Sequence, residues 1–348
     1  MAARRLLARA LSSSASPPTP PQLLSLADLT VPQLGTLLAS AAAFKQTFKA
    51  HPVPLDAQKY GLPAERDALK GRTVALVFSK RSTRTRVASE SATALLGKCG
   101  HAMFLGSQDI QLGVNETLLD SAKVISSMVD GIMARVGDHS EVETLARYST
   151  VPVINALSHL YHPSQILAHL LTLLETYSPS ITSSSPPSLS ALRGLTVAWI
   201  GDSNNILNDM IVSFARLGIH LRVATPKGYP LEEVVMHTAR EGLAAESSGG
   251  TATKEVLSYF NDPLEAVKGA DVLVTDTWIS MGQEAEKQKR LKDFQGFQIT
   301  MDLANRGGAN KDWKFTHCLP RKQEEVDDEV FYGDRSLAFL EAENRKVS

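Results

Sequence analysis

Short apolar runs alternate with longer segments of helical periodicity along most of this chain of 348 residues. Strands that are separated by helices pair side by side in parallel, so the alternation favours parallel sheets with helices on both faces. The first series begins near Thr30 and ends near Thr176. It comprises strands over Thr73–Ser79, His101–Leu105, Gly131–Arg135 and Val151–Asn155, and helices over Thr30–Lys49, Thr83–Leu96, Thr117–Val129 and Ile166–Thr176.

A second series follows a Ser- and Pro-rich stretch at 178–190 that has no periodicity. It comprises strands over Leu195–Ile200, His220–Ala224 and Asp271–Thr275, and helices over Asn208–Leu217 and Leu231–Glu246. We therefore predict an α/β fold of two domains, each a parallel sheet flanked by helices. Ligands of such sheets bind beyond the carboxyl ends of the strands, so we expect the active site in the cleft between the domains. The predicted boundaries are 22–177 for the first domain, 178–193 for a linker loop, 194–330 for the second domain and 331–348 for a C-terminal segment that returns toward the first domain.

The composition excludes several classes of partner. The formal net charge is −1, so the chain has no overall basic field for nucleic acid. No apolar run reaches the length that spans a bilayer, and we expect a soluble protein without a membrane partner. The two cysteines, Cys99 and Cys318, lie far apart and match neither a disulfide framework nor a zinc motif.

The first 21 residues differ from the rest of the chain. Arg4, Arg5 and Arg9 interleave with leucines, serines follow, and no acidic residue occurs before Asp28. This pattern is typical of a mitochondrial transit peptide, with a frayed basic tail as the alternative. The prolines that follow predict a break, so residues 1–21 are excluded from the predicted fold.

Ser-Thr-Arg-Thr-Arg, at Ser82 to Arg86, lies where a predicted strand gives way to a predicted helix. Free backbone N–H groups and the positive end of the helix dipole meet at such a junction, so it is suited to bind an anion. Arg84 and Arg86 add planar donors that suit phosphate. No Gly-x-x-x-x-Gly-Lys motif precedes the segment, which excludes a nucleotide-triphosphate loop. Taken alone, the segment also fits a polar helix start with solvated arginines.

Ile200-Gly-Asp-Ser-Asn-Asn205 also joins a predicted strand to a helix, as a dinucleotide-binding loop does. The glycines of Gly-x-Gly-x-x-Gly are missing, which argues against NAD. The side chains of Asn204 and Asn205 could instead contact a small polar ligand. The alternative is that Asn205 or Asn208 caps the helix.

Three further segments carry polar groups at strand ends or helix starts. Asp276-Thr-Trp-Ile-Ser-Met-Gly282 places an acid that suits an ammonium group after a strand. Thr316-His-Cys-Leu-Pro-Arg-Lys322 holds Cys318 beside His317, but sequence neighbours point to opposite sides of an extended backbone and rarely form a catalytic dyad. His162-Pro-Ser-Gln165 precedes a helix.

Together these segments resemble the transcarbamylase family from about Ser25 to Lys346. The Ser-Met-Gly loop and the cysteine of His-Cys-Leu-Pro are similar to the branch of the family that uses ornithine. The motifs that carry the resemblance are Phe78-Ser-Lys-Arg-Ser-Thr-Arg-Thr-Arg86, Asp109-Ile-Gln-Leu-Gly113, His162-Pro-Ser-Gln165, Asp276-Thr-Trp-Ile-Ser-Met-Gly282 and His317-Cys-Leu-Pro320.

The resemblance implies a reaction in which carbamoyl phosphate and L-ornithine give L-citrulline and phosphate, without a cofactor, a metal or a covalent intermediate. It implies that the first domain binds carbamoyl phosphate and the second binds ornithine. The implied carbamoyl phosphate contacts are Ser82, Thr83, Arg84, Thr85, Arg135, His162, Gln165, Cys318, the carbonyl of Leu319, Arg345 and, from a neighbouring subunit, Gln111. The implied ornithine contacts are Asn205, Asp276, Ser280 and Met281.

The resemblance also assigns catalytic roles and an assembly. Asp276 and Cys318 would orient the reacting amine, and Arg135 would stabilise the oxyanion that develops on the carbamoyl group. The family implies a homotrimer with sites at subunit interfaces. With the N-terminal pattern, it implies a mitochondrial matrix enzyme of arginine biosynthesis or the urea cycle.

Some features depart from the family pattern and leave alternatives open. Family members continue past the segment that matches Glu343–Lys346 into a further apolar helix, whereas this sequence stops at Ser348, so we expect a shortened chain of reduced stability. The alternatives are a transcarbamylase that accepts aspartate or acetylated ornithine, and a non-catalytic binding paralogue. An NAD-linked oxidoreductase is a more distant alternative.

Overall fold

The computed structural model describes residues 20–50, 68–97, 100–108, 116–178, 188–246, 256–279 and 284–348. Most of the predicted transit peptide lies outside these residues, as do Cys99, Gln111, Ser280 and Met281. Within the described residues, no helix combines the length and apolar character that a bilayer crossing requires.

The N-terminal half contains a four-stranded sheet in which every strand is parallel, in the order β2-β1-β3-β4. Each strand is followed by a helical segment, which returns the chain to the same edge of the sheet. The strands are β1 (Thr73–Phe78), β2 (His101–Gly106), β3 (Gly131–Arg135) and β4 (Val153–Leu157), and the helices are α1 (Val31–Ala50), α2 (Thr83–Leu95), α3 (Leu118–Ser126), α4 (His139–Tyr148) and α5 (Pro163–Tyr177), with a 3₁₀ turn at Leu26–Asp28.

The C-terminal half contains a five-stranded parallel sheet in the order β7-β6-β5-β8-β9. The predicted fold class, two parallel sheets flanked by helices, is confirmed. The strands are β5 (Thr196–Ile200), β6 (His220–Ala224), β7 (Leu257–Phe260), β8 (Val272–Thr275) and β9 (Lys314–His317). The helices are α6 (Asn205–Leu217), α7 (Glu233–Glu246), α8 (Pro263–Val267), α9 (Lys287–Asp293), α10 (Met301–Gly307), α11 (Asp328–Tyr332) and α12 (Ala338–Asn344), with 3₁₀ turns at Leu189–Leu192 and Glu284–Glu286.

Several elements differ from the sequence-based prediction. Helix α4 is absent from it, although Asp138 and Glu141 form a capping box that is readable in the sequence. Strands β7 and β9 are also absent from it, since each has only four residues and so shows little periodicity. Strand β4 begins two residues later than predicted, because Pro152 has no N–H to donate to a neighbouring strand.

Helix α5 is the central packing element of the molecule. Every residue from Pro163 to Leu174 is buried, as expected for a helix that has apolar residues on all sides. Its leucines belong to one hydrophobic cluster that also contains Leu38 of α1, Trp199 of β5 and Phe214 of α6. The helix therefore packs against elements of both halves, and its first turn is held rigidly between them.

Buried polar contacts reinforce this packing. The carboxylate of Asp209, on α6, accepts hydrogen bonds from the backbone N–H groups of His162 at 2.6 Å and Leu26 at 3.0 Å. Burial raises the pKa of Asp209 to about 7, and the two N–H groups oppose that rise. Asn205 Nδ2 donates to the carbonyl oxygen of Ser158 at 2.6 Å. These bonds tie the start of α5 to the second half.

The last helix, α12, packs on α5 through a second polar cluster. Lys45 of α1 is buried and donates to Glu175 at 2.8 Å and to Asn344 of α12. Asn344 Nδ2 donates in turn to Thr172 and Glu175, each at 2.9 Å. The cluster joins three helices that are distant in sequence.

We expect Lys45→Met to lower the free energy of unfolding by about 2–4 kcal/mol, because it leaves the Glu175 carboxylate and the Asn344 carbonyl without their cation. Urea unfolding followed by circular dichroism would measure the change. The control is Arg306→Met, which removes an exposed ion pair with Asp302 and should cost less than about 0.5 kcal/mol. Equal midpoints for the two variants would contradict the expectation.

Candidate active site

Most of the predicted site residues that the structure describes lie at the carboxyl ends of strands in both sheets. Ser82 follows β1, Arg135 ends β3 and His162 follows β4. In the second sheet, the Asn204–Asn205 pair follows β5, Asp276 follows β8 and Cys318 follows β9. The asparagine pair and Asp276 therefore flank the point between β5 and β8 where the strand order reverses. Ligands of such sheets bind at this position.

The Ser82–Thr85 segment forms the start of α2, as the sequence predicts. Ser82 caps the helix and accepts a hydrogen bond from the N–H of Thr85 at 3.3 Å, while its hydroxyl donates to Thr85 Oγ1 at 3.0 Å. Thr83 is the first helical residue and is exposed. Arg345, which follows α12, donates from Nη2 to Thr85 Oγ1 at 2.9 Å and lies 3.4 Å from His162 Nε2. The C-terminal arginine is thereby brought to the start of α2.

Three guanidinium groups, from Arg84, Arg135 and Arg345, share this region, and within the described residues none of them forms a salt bridge. Burial, together with the charges of Arg345 and Arg84, lowers the pKa of Arg135 to about 10. Burial also lowers the pKa of Arg345, and Arg84 adds to that effect. The Nε atoms of Arg84 and Arg135 are buried without a hydrogen-bond partner. Such a cluster is costly until an anion neutralises it.

His162 lies inside the same cluster. Burial lowers its pKa well below the ordinary value, and Arg345, Arg135 and Arg84 lower it further, so the imidazole is neutral. Arg345 donates to Nε2, which is therefore the unprotonated nitrogen in this arrangement. A neutral imidazole beside three cations is suited to contact a polar group of the ligand without adding a fourth charge.

Arg86 does not join the cluster, which corrects the expectation that both arginines of the motif serve the anion. Its Nε donates to Glu90 at 2.8 Å, and its guanidinium lies 3.8 Å from the centre of the Phe104 ring. Arg84 and Arg86 are two residues apart on α2, so they project about 200° apart around the helix, and only one of them can face the cluster.

Asp276 lies on the side of the site opposite the guanidinium cluster. Its Oδ2 accepts a hydrogen bond from Asn204 Nδ2 at 3.1 Å, and its Oδ1 lies 3.8 Å from His317 Nδ1. Burial, together with the nearby charge of Glu325, raises the pKa of Asp276 to about 6. A buried carboxylate of this kind gains from contact with an amine.

Asn204 and Asn205, which follow β5, make different contacts. Asn204, and neither Asn205 nor Asn208, caps α6, because its Oδ1 accepts from the N–H groups of Ile206 at 3.0 Å and Leu207 at 3.2 Å. Asn205, a predicted ornithine contact, uses its Nδ2 in the bond to Ser158 described above. The capping alternative is thus wrong for Asn205 and Asn208.

Cys318 is half-buried at the end of β9. Burial raises the pKa of its thiol, and the nearby charge of Asp276 raises it further. The thiol is therefore neutral near pH 7, which disfavours a nucleophilic cysteine. Leu319 follows with φ of 65°, a left-handed conformation that is uncommon for a residue with a side chain, and the Leu319–Pro320 peptide bond is cis.

Glu325 and His317 are functional candidates that sequence reasoning missed or left unassigned. The N–H of Leu319 donates to His317 Nδ1 at 2.8 Å, so the ring proton is on Nε2, which donates to Glu325 at 3.2 Å. Glu325 is fully buried and also accepts from the N–H of Trp278 at 3.3 Å. One carboxylate therefore holds the Cys318–Leu319 turn and the start of the Asp276–Gly282 segment, the acceptor loop that is predicted to contact ornithine. No spacing rule in the sequence signals this contact.

Arg290 is a second residue that the sequence did not single out. It forms a buried salt bridge with Asp202 at 2.8 Å and donates to the carbonyl oxygen of Trp278 at 2.8 Å. Trp278 lies two residues before Ser280, so Arg290 anchors the backbone that leads into the predicted acceptor loop. Within the described residues, no group of three or more His, Cys, Asp or Glu side chains is arranged to hold a metal.

The guanidinium cluster predicts anion binding that depends on Arg84. Inorganic phosphate at a hundred times its dissociation constant should stabilise the protein by about 2.7 kcal/mol, measured by thermal unfolding. Arg84→Gln should remove most of this stabilisation without weakening the phosphate-free protein, because it reduces repulsion among like charges. Arg86→Gln is the matched control and should keep the full effect. A wild-type response in Arg84→Gln would contradict the assignment.

Comparison with known proteins agrees with this arrangement. Residues 22–175 match the family model described as "Aspartate/ornithine carbamoyltransferase, carbamoyl-P binding domain", and residues 193–348 match that of the "Asp/Orn binding domain". The chain is 54% identical over 330 residues to a mitochondrial ornithine carbamoyltransferase of Aspergillus terreus, covering 95% of this chain and 86% of that protein. It is 49% identical over 324 residues to mitochondrial ornithine transcarbamylase of Gallus gallus, covering 93% of this chain and 82% of that protein.

Solved structures give the same result. The crystal structure of a mitochondrial ornithine carbamoyltransferase from Coccidioides immitis superposes with a TM-score of 0.81 at 46% identity, covering 94% of this chain and 95% of that one. The ornithine carbamoyltransferase from Pyrococcus furiosus superposes with a TM-score of 0.78 at 41% identity, covering 96% of each chain. Matches of this extent leave no doubt about ancestry: the chain belongs to the aspartate/ornithine carbamoyltransferase family.

Proposed function

We propose that this protein is an ornithine carbamoyltransferase, which transfers the carbamoyl group of carbamoyl phosphate to the side-chain amine of L-ornithine. The observation that carries the proposal is the cluster of Arg84, Arg135 and Arg345 around neutral His162, because it needs a compact dianion to neutralise it. Across the site, buried Asp276 suits an amine acceptor. The relatives named above carry the same activity in their names.

The phosphate group of the donor would bind at the start of α2. There the N–H groups of the first helical turn, the hydroxyls of Ser82, Thr83 and Thr85, and the guanidiniums of Arg84 and Arg345 supply donors. Arg135 would donate to the carbamoyl oxygen. When the phosphate takes the guanidinium of Arg345, His162 Nε2 would lose that donor, and the ring proton would move from Nδ1 to Nε2 and be donated as well. These donors would stabilise the oxyanion that develops when the amine attacks, an effect worth about 3–4 kcal/mol for one donor.

The acceptor amine must lose a proton before it can attack. An alkylamine has a pKa of about 10.4, so at neutral pH it is almost entirely protonated. Asp276 would accept a hydrogen bond or proton from this amine, and the neutral thiol of Cys318 would help to orient it. The new C–N bond forms as the C–O bond to phosphate breaks, and the surplus proton of the nitrogen leaves with the phosphate.

His317 and Glu325 would support this step by holding its framework. In the arrangement described above, the Nε2 proton of His317 is committed to Glu325, and Nδ1 accepts from the N–H of Leu319. The imidazole therefore fixes the Leu319 turn, whose carbonyl would face the carbamoyl nitrogen. Because both ring nitrogens of His317 are already used, the role of proton acceptor stays with Asp276.

Further parts of the proposal concern assembly and location. We infer a homotrimer in which Gln111 of one subunit reaches a neighbouring site, and acceptor contacts from Ser280 and Met281. We also infer cleavage of a transit peptide over residues 1–21, import into the mitochondrial matrix and a role in arginine biosynthesis or the urea cycle. The relatives' designation as mitochondrial supports the location. The domain boundaries at 177, 193 and 330 remain predictions.

The first test is citrulline formation by the purified chain that starts near Gln22, with carbamoyl phosphate and one acceptor at a time. L-Ornithine should support turnover, whereas L-aspartate should give a rate at least about a hundredfold lower, because it has no side-chain amine to place at Asp276. N-Acetyl-L-ornithine keeps the side-chain amine, so its rate tests the alternative that the protein accepts acetylated ornithine. Comparable turnover with another acceptor would replace ornithine as the substrate. No turnover by folded protein with any of the three would favour the non-catalytic alternative.

The raised pKa of Asp276, about 6, predicts the pH dependence of kcat/KM for ornithine. The neutral fraction of the amine increases tenfold for each unit by which the pH rises. A plot of log kcat/KM against pH should therefore have a slope of about 1 above pH 6. Below pH 6 protonation of Asp276 also removes the carboxylate that accepts from the amine, and the slope should approach 2.

Asp276→Asn tests this assignment. It should lower kcat/KM by about 10²–10⁴-fold and remove the break near pH 6. Inhibition by L-norvaline, which has the carbon chain of ornithine without its side-chain amine, should change less than about threefold, because the lost contact concerns the side-chain amine alone. A break near pH 6 that persists in Asp276→Asn would assign it to another group.

A further inference from the structure

Glu341 is a buried carboxylate that the proposed mechanism does not use. It lies on α12, is only 2% exposed, and contacts two side chains of α5. Its Oε1 accepts a hydrogen bond from Gln165 Nε2, and its Oε2 lies 3.3 Å from His169 Nδ1. Within the described residues it forms no salt bridge with an Arg or Lys. Both partners lie on the helix whose first turn enters the site.

This contact decides which end of the Gln165 amide faces Glu341. A carboxylate can only accept hydrogen bonds, so the amide must present its NH₂ group to it, and the amide oxygen must point elsewhere. That oxygen, Oε1, is buried and has no hydrogen-bond partner, in a residue that is 1% exposed. A buried acceptor without a donor costs about 1–3 kcal/mol, so the site gains when a ligand supplies an N–H.

We propose that Glu341 is a positioning residue that fixes Gln165 as a hydrogen-bond acceptor for the carbamoyl NH₂, and so lets the enzyme distinguish carbamoyl phosphate from acyl phosphates that carry a methyl group there. The inference rests on the proposed function, since it assigns the carbamoyl group to this site. Carbamoyl and acetyl groups have nearly the same shape, and only the former carries N–H donors. A site that holds a fixed, unpaired acceptor rejects the methyl analogue, because the acceptor would stay buried and unpaired.

His169 keeps the Glu341 carboxylate in place. It is fully buried, and its ring stacks on Phe214 of α6 with centroids 5.8 Å apart. Because the acceptor at Nδ1 is a carboxylate oxygen, that nitrogen carries a proton and donates. The carboxylate is thus held by one donor from each of two turns of α5, which leaves Gln165 a single amide orientation.

The test compares two inhibitors that differ only at the group in question. Phosphonoacetamide carries a carbonyl with NH₂, and acetonylphosphonate carries the same carbonyl with CH₃. For the wild-type enzyme, the ratio of their inhibition constants against carbamoyl phosphate should favour the amide by at least about tenfold, which corresponds to about 1.4 kcal/mol. Glu341→Gln can donate to Gln165 as well as accept, so the amide of Gln165 loses its fixed orientation and the ratio should fall toward one.

Matched variants separate positioning from a structural role. Glu343→Gln changes a partly exposed carboxylate of the same helix, which pairs with Lys346, and should keep the wild-type ratio. Gln165→Leu should lower the ratio as Glu341→Gln does. The double variant should show no further fall, because Glu341 acts through Gln165. Should Glu341→Gln fail to fold, Glu341→Asp keeps the charge and should give a smaller fall in the same direction.

The outcomes are distinct from those of the proposed function. Phosphate-induced stabilisation does not involve the NH₂ group and should be equal in wild type and Glu341→Gln. A wild-type enzyme that forms citrulline, together with a Glu341→Gln variant that keeps the full preference for the amide inhibitor, overturns the positioning role alone. A wild-type protein that binds neither inhibitor and forms no citrulline overturns the proposed function and this inference together.

Discussion

Helix α5 is buried on all sides between the two halves of the molecule, and the site depends on that packing. Its apolar residues pack with those of α1, β5 and α6, while His162 immediately precedes the helix and Gln165 lies in its first turn. Asp209 of α6 accepts the N–H of His162, so the start of the helix is fixed from the second half of the chain. Hydrophobic burial supplies the rigidity with which these two polar side chains are presented.

The site itself opposes folding. Three guanidiniums lie together without a described carboxylate partner, and the buried Asp276 has a raised pKa. Groups of opposite charge are thus kept apart on the two sides of the site, where each would be neutralised by a substrate of the opposite sign. The apolar cores and the buried cluster around Lys45 stabilise the fold and so offset the cost of holding these charges unpaired.

The sequence was informative where function depends on local structure. The Ser82–Arg86 segment begins α2 where a predicted strand ends, and Asp276 follows a predicted strand, as expected. The sequence was less informative about which way a side chain points from its helix. Arg84 and Arg86 are equivalent in composition, yet only the helical phase sends Arg86 to Glu90 and the Phe104 ring. The alternative that Asn205 or Asn208 caps α6 is likewise wrong, because Asn204 caps it.

The sequence by itself determined the fold class, the strand-end position of the polar motifs and the family, because periodicity, capping and motif spacing are properties of consecutive residues. Only the tertiary structure decided which distant side chains meet. Glu325 reaches His317 and Trp278, Glu341 reaches Gln165 and His169, and Arg345 reaches Thr85 across 260 residues of sequence. Such contacts follow from how helices and sheets pack on one another, and no pattern within a single segment encodes the partner that packing will bring to it.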